Sequence, residues 1–359
     1  SNAFDNCRSL EEFITKSNSY TISGEGFINC MSLKNFNFDN VIEVANNAFE
    51  GCTSLTNIDF SNSPIIELPW QLFCSCGSLD KIILPPNITE FNILVFEECT
   101  INSLTFTSTG SNTLDLTNSF QDFDVELREV IFTSNCKVIL DSTFANCQNL
   151  SHVVLPQTPY ELKNTFKSCT NLSEVANFQY CTKINGGFTS CSKLVELEYA
   201  PNLDTIGDYS FYECKLLNKF EFNDKITEIG NNAFYGCQGL KSIDLKNIKT
   251  IGSASFRACS HITEFKLNKV ETLGRFSLAE MQSLTKIELP ETLTMMEPYC
   301  FMSTPIINIT GNPIGITEIE SSFAGCKDMV NIPIFPSIET IKSSAFQQCY
   351  QLKKFECGD

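Results

Sequence analysis

The sequence predicts a right-handed solenoid of about sixteen stacked coils, each with one short parallel β-strand and a short return. Three observations predict it. A phenylalanine recurs every 22 to 24 residues, a cysteine follows it by three, and a Leu-x-x-Ile-x-Leu segment follows the cysteine. The whole pattern is cleanest at Phe49–Phe60, Phe211–Phe222 and Phe234–Leu245.

The anchor falls at Phe4, Phe27, Phe49, Phe73, Phe96, Phe120, Phe144, Phe166, Phe188, Phe211, Phe234, Phe256, Leu278, Phe301, Phe323 and Phe346. A period of this length with Leu, Ile and Phe anchors fits a leucine-rich-repeat coil of the α/β type. One coil cannot bury its own apolar face, so stacked coils share a continuous core. The anchors are then expected to form an aromatic spine.

The Ile-x-Leu end of each segment alternates as a short strand should. Strands of this class line the concave face. The return, as in Ile229–Cys237, is too short for a long helix. A turn, a 3₁₀ segment or one helical turn is expected there. Pro85, Pro156, Pro290 and Pro336 fall just past a strand, where a missing N–H costs least. Gly207, Gly230, Gly252 and Gly274 stand four residues before an anchor and are expected to take positive φ.

Thirteen of the 18 cysteines share the position after the anchor, so they share one environment. Met281 and Phe123 replace cysteine in that column, which argues for an apolar site of free, buried thiols. Disulfides between coils would not tolerate those replacements. No Cys-x-x-Cys pair occurs, and a zinc site is not expected. The irregular coils at Phe120, Leu278 and Phe301, and the short one at Phe96, read as drift, bends or a site.

Composition narrows function. Acidic residues outnumber basic ones 42 to 25, a net charge of -17 that repels nucleic acid and anionic membranes. No apolar run is long enough to span a bilayer. His152 and His261 are the only histidines and lie about five coils apart. No phosphate loop, HExxH, GxSxG or kinase signature is present, so no enzyme and no cofactor is expected. Sequons begin at Asn87, Asn149, Asn171 and Asn308 and permit secretion without demonstrating it. Ser1–Ala3 read as the scar of a removed tag. Residues 4–359 are expected to be a single solenoid cut from a longer chain. No polar cap closes either end, which leaves end-to-end pairing of two copies open.

The pattern Ile-Gly-x-x-Ala-Phe-x-x-Cys-x-x-Leu-x-x-Ile-x-Leu-Pro resembles the BspA-like, or Treponema-type, leucine-rich repeats. Ile229–Leu245, Ile251–Leu267 and Ile319–Ile334 carry the resemblance best. The Asn-, Phe- and Lys-containing spacers look more like those of protozoan parasites such as Trichomonas than bacterial ones. The resemblance implies a cell-surface or secreted protein, adhesin-like, that binds host or cell-surface proteins and has no catalytic residue. An intracellular scaffold for protein–protein contacts is the alternative.

A partner is expected on the outward positions that flank the buried Ile of Ile-x-Leu. Along the chain these read Asn57 and Asp59, Lys81 and Ile83, Ser103 and Thr105, Glu129 and Ile131, His152 and Val154, Glu174 and Ala176, Glu196 and Glu198. Further on come Lys219 and Glu221, Ser242 and Asp244, Glu264 and Lys266, Lys286 and Glu288. Ile83, Ile131, Val154 and Ala176 put apolar side chains on a nominally wet face, flanked by Glu129, Glu174, Glu196 and Glu198. An apolar patch rimmed by charge is the pattern of a protein-binding site. The bland alternative is that β-branched residues simply favour strands.

Overall fold

The computed structural model describes residues 2–88, 93–107, 113–121, 126–133 and 135–356. The chain winds as a parallel β-solenoid of about fourteen turns with almost no helix. The sequence pattern counts sixteen coils, slightly more than the turns the chain makes. Two compact units divide the winding: Ser1–Tyr160 with Glu174–Asn177, and Glu161–Ser173 with Phe178–Asp359.

The first unit holds a six-stranded parallel sheet of Asn57–Asp59, Lys81–Leu84, Ser103–Phe106, Glu129–Phe132, His152–Val154 and Glu174–Ala176. Alternation drives it. Ile58, Ile82, Leu104, Val130, Val153 and Val175 lie in register and are buried, while their neighbours face outward. The second unit holds a four-stranded sheet of the same kind: Ser242–Asp244, Glu264–Lys266, Lys286–Leu289 and Asn308–Gly311.

The return departs from expectation. Besides turns, it carries a second row of short parallel strands. In the second unit these include Thr205–Ile206, Glu228–Ile229, Thr250–Ile251 and Thr272–Leu273, with Ile206, Ile229, Ile251 and Leu273 buried in register. In the first unit Thr113–Asp115 pairs with Lys137–Asp141. Among the described residues, 3₁₀ helix occurs only at Ile93–Phe96 and Phe178–Tyr180.

The reason that helical turns are so scarce lies around most anchors. The residues two before and two after such an anchor take positive φ, as at Asn232 (55°) and Gly236 (69°) about Phe234. The same holds at Asn164 and Ser168, at Gly186 and Ser190, and at Ser321 and Gly325. A left-handed residue on each side ends any right-handed helix. Gly enters this position without steric cost and Asn is tolerated there. The N–H groups of the turn bond to the next coil instead: Phe234 to Ser255 O at 2.8 Å and Gly236 to Arg257 O at 2.9 Å.

The four glycines therefore serve a different purpose. Gly207, Gly230, Gly252 and Gly274 do not take positive φ. They form a ladder in which successive backbones touch. A Cβ on Gly230 would lie 2.3 Å from the carbonyl carbon of Gly207, and one on Gly274 would lie 2.7 Å from that of Gly252. Close approach, not turn conformation, selects glycine here.

Anchors stack as expected. Ring centroids are 4.9 Å apart at Phe4–Phe27, 5.1 Å at Phe27–Phe49, 5.0 Å at Phe211–Phe234 and 5.1 Å at Phe234–Phe256. Each such pair adds roughly 0.5–1.5 kcal/mol beyond area burial. Leu278 interrupts the spine, which resumes at Phe301–Phe323 with 5.4 Å.

The cysteine column is not merely apolar. Buried thiols of the column donate to the anchor carbonyl of the preceding coil, as Cys52 does to Phe27, Cys214 to Phe188 and Cys237 to Phe211, all at 3.1 Å. Thr304 stands in the same column, and its hydroxyl makes the equivalent bond to Leu278 O at 2.8 Å. The position selects a small buried donor, and the described cysteines are free. Burial pushes these thiols up, to about 12 for Cys52 and Cys99 and about 11 for Cys30. Phe123, one basis for the apolar reading, lies outside the described residues.

Candidate functional site

Strand register turns the outward positions into two straight rows. One row runs Asp59, Ile83, Thr105, Ile131, Val154, Ala176. The other runs Asn57, Lys81, Ser103, Glu129, His152, Glu174. All twelve belong to the first unit. Ile83, Ile131, Val154 and Ala176 are brought together as a half-buried apolar line, with Thr105 inside it. Their shared burial comes from neighbours on adjoining strands, at about 4.8 Å spacing.

The charged row is internally bonded. Ser103 Oγ donates to Glu129 Oε2 at 2.8 Å, and His152 Nδ1 lies 3.1 Å from Glu129 Oε1. The Ser103 hydroxyl, first, and then His152 hold the Glu129 carboxyl below its usual range, against the desolvation that opposes them. This order places the carboxylate between serine and imidazole. The hydroxyl therefore has no imidazole base beside it, as nucleophilic catalysis by a serine would need. Ser103 is buried and fixes Glu129 in place.

At one end of the rows, Asn57, Asp59, Asp80, Lys81 and Ile83 line a depression of about 470 Å³. Sequence reasoning did not single it out. The signal was available, since Asn57, Asp59 and Lys81 occupy outward positions, but Asp80 precedes its strand.

Glu196 and Glu198 are not strand residues. They lie in the second unit, and no strand forms at 194–199. The residue that should seat such a strand is Leu197, half-buried, where strand-forming coils bury Val153, Val175 or Ile243. Lys219 and Glu221 likewise flank a half-buried Phe220 outside any strand.

The four-stranded sheet offers an internal comparison. Where the first unit has Ile83, Ile131 and Val154, the second has Asp244, Lys266 and Glu288 in register. Opposite charges on adjacent strands neutralise each other there. His261 is exposed and bonded through Nδ1 to Gln238 O at 2.6 Å. Asn87 and Asn149 are exposed, and Asn171 and Asn308 are half-buried. Among the described residues no group of three or more His, Cys, Asp or Glu side chains could hold a metal ion. No helix among them is long and apolar enough to cross a membrane.

A family model described as BspA type leucine-rich repeat region, in six copies, matches residues 1–125, 117–187, 182–278 and 265–359. The chain belongs to the BspA type leucine-rich repeat family. The BspA type repeat fold is of the kind used for protein binding. Among solved structures, a leucine-rich cell surface protein of Faecalibacterium prausnitzii is 19% identical, with a TM-score of 0.46 over 71% of this chain and 87% of that one. A leucine-rich repeat protein of Bacteroides ovatus is 21% identical, with a TM-score of 0.45 over 93% and 81%. The leucine-rich repeat protein of Treponema pallidum is 17% identical, with a TM-score of 0.27 over 70% and 82%. No curated protein matches this sequence.

Proposed function

We propose that this chain is a non-enzymatic protein-binding module, displayed on the cell surface or secreted, that holds a host or cell-surface protein through the six-stranded face. One observation carries the reading. The line Ile83, Ile131, Val154, Ala176 stays apolar and half-buried beside a charged row, while the same position in the four-stranded sheet is Asp244, Lys266 and Glu288. β-propensity alone does not explain the difference, because both rows are strands of one repeat. An apolar line with a polar rim matches the anatomy of protein interfaces.

Ile131→Glu and Val154→Glu place charge in the line without touching the buried Val130 or Val153. Both variants should fold and lose the native partner in pull-downs from surface extracts. Retained affinity in either folded variant removes this face as the site. Antibody staining of intact cells, abolished by surface proteolysis, tests the location. Staining only after permeabilisation would move the module to the intracellular scaffold reading.

A further inference from the structure

The face selects for more than apolarity. Its two rows and the residues just before them hold Asp59, Asp80, Glu129 and Glu174 against Lys81 and Arg128. The same positions of the four-stranded sheet balance, with Asp244, Glu264 and Glu288 against Lys241, Lys266 and Lys286. The six-stranded face does not, and the whole chain carries -17. Electrostatic complementarity then calls for a basic partner surface.

Spacing narrows the shape of that surface. From Ile83 to Ala176 the apolar line crosses four strand-to-strand steps, about 19 Å at ~4.8 Å each. An extended peptide repeats the same side every ~6.7 Å and loses step with the strands at once. An α-helix repeats a ridge every ~5.4 Å and drifts by only ~0.6 Å per strand. A helix of about 13 residues covers the line.

We infer that the occupant of this face is a basic amphipathic α-helix of a protein partner. An apolar ridge lies along Ile83, Ile131, Val154 and Ala176, and Lys or Arg side chains reach Glu129, Glu174 and the Asp59–Asp80 depression. This rests on the protein-binding reading above and adds the chemistry of the partner. Such a helix docks by its i, i+4, i+7, i+11 positions, as in other helix-in-groove contacts.

Three 15-residue peptides test it against the whole chain with labelled Ile and Val methyls. The first has Leu at i, i+4, i+7 and i+11 with flanking Lys. The second has the same composition scrambled. The third has Glu for Lys. The first peptide should shift the Ile83, Ile131 and Val154 methyls saturably, at least tenfold more tightly than the other two, and leave Ile243 and Ile287 unmoved. A Glu129→Gln, Glu174→Gln variant should weaken it three- to tenfold at low salt and little at high salt. No saturable shift at millimolar peptide, equal binding of the scrambled or acidic peptide, or equal shifts at Ile243 and Ile287 would each overturn the inference. Loss of the native partner from Val154→Glu without binding of the first peptide would leave the protein-binding reading intact and remove the helix.

Discussion

Raising the pH from 8 to 9.5 should cost this fold far more than it costs an ordinary protein. Nine column thiols, Cys30, Cys52, Cys76, Cys99, Cys191, Cys214, Cys237, Cys259 and Cys326, have pKa values raised by burial, as do Cys181 and Cys300. A raised folded value means that the stabilisation is complete below the unfolded value. It is lost as pH climbs from there through the folded value. Unfolded thiols ionise near ~8.5, so the window opens there and runs to about 11 for Cys30 and about 12 for Cys52 and Cys300. Between pH 8 and 9.5 each buried thiol forfeits on the order of 1 kcal/mol, or roughly 10 kcal/mol for eleven. With a melting entropy near ~0.75 kcal/mol/K for a chain of this length, the midpoint should fall on the order of 15 °C. Circular dichroism melts in a phosphine reductant at pH 7, 8, 9 and 9.5 measure it. A fall of less than about 3 °C between pH 8 and 9.5 would mean that the thiols titrate alike in both states, against the packed column.

Other consequences follow from the same contacts. Gly230→Ala should cost about 3 kcal/mol in chemical denaturation, because its Cβ meets the Gly207 backbone, whereas Gly77→Ala, with open space around it, should be nearly neutral. Cys237→Ser should retain more stability than Cys237→Ala by about 1 kcal/mol, since the hydroxyl keeps the bond to Phe211 O; an apolar site would rank them the other way. Ser103→Ala should raise the Glu129 pKa, read by carboxyl-carbon NMR titration. The depressed value stabilises the fold above the ordinary carboxylate range and that stabilisation is lost as pH falls through it, so the variant should be less stable at neutral pH and less acid-sensitive.

Much of this architecture is legible in the residues themselves. The spine and the strand at Ile-x-Leu are readable because one side chain type returns at one spacing, and Phe234, Cys237 and Ile243 stand where that spacing puts them. The second strand row is not readable, since two residues such as Thr250–Ile251 are too few to display alternation. Glycine at Gly230 fits either positive φ or close approach, and only the 2.3 Å contact with the neighbouring coil decides. The donor role of cysteine is visible in Thr304 but is masked by Met281. The two rows of the candidate site follow from counting outward positions. Their break at Glu196 does not, because Leu197 fits the pattern yet stays half-buried. Ser103 reads as an outward polar residue, and its burial under the Glu129 carboxylate needs the neighbouring strand.

The central claim is that the six-stranded face holds the partner. A photo-reactive side chain installed at Ile131, and in parallel at Lys266 on the four-stranded sheet, tests it on the source cell surface. One defined protein should be captured at position 131, competed away by excess unmodified chain, with the crosslink mapping to a basic helical segment, and position 266 should give none. Equal capture at 266, or capture at 131 that excess unmodified chain fails to compete, would contradict the account.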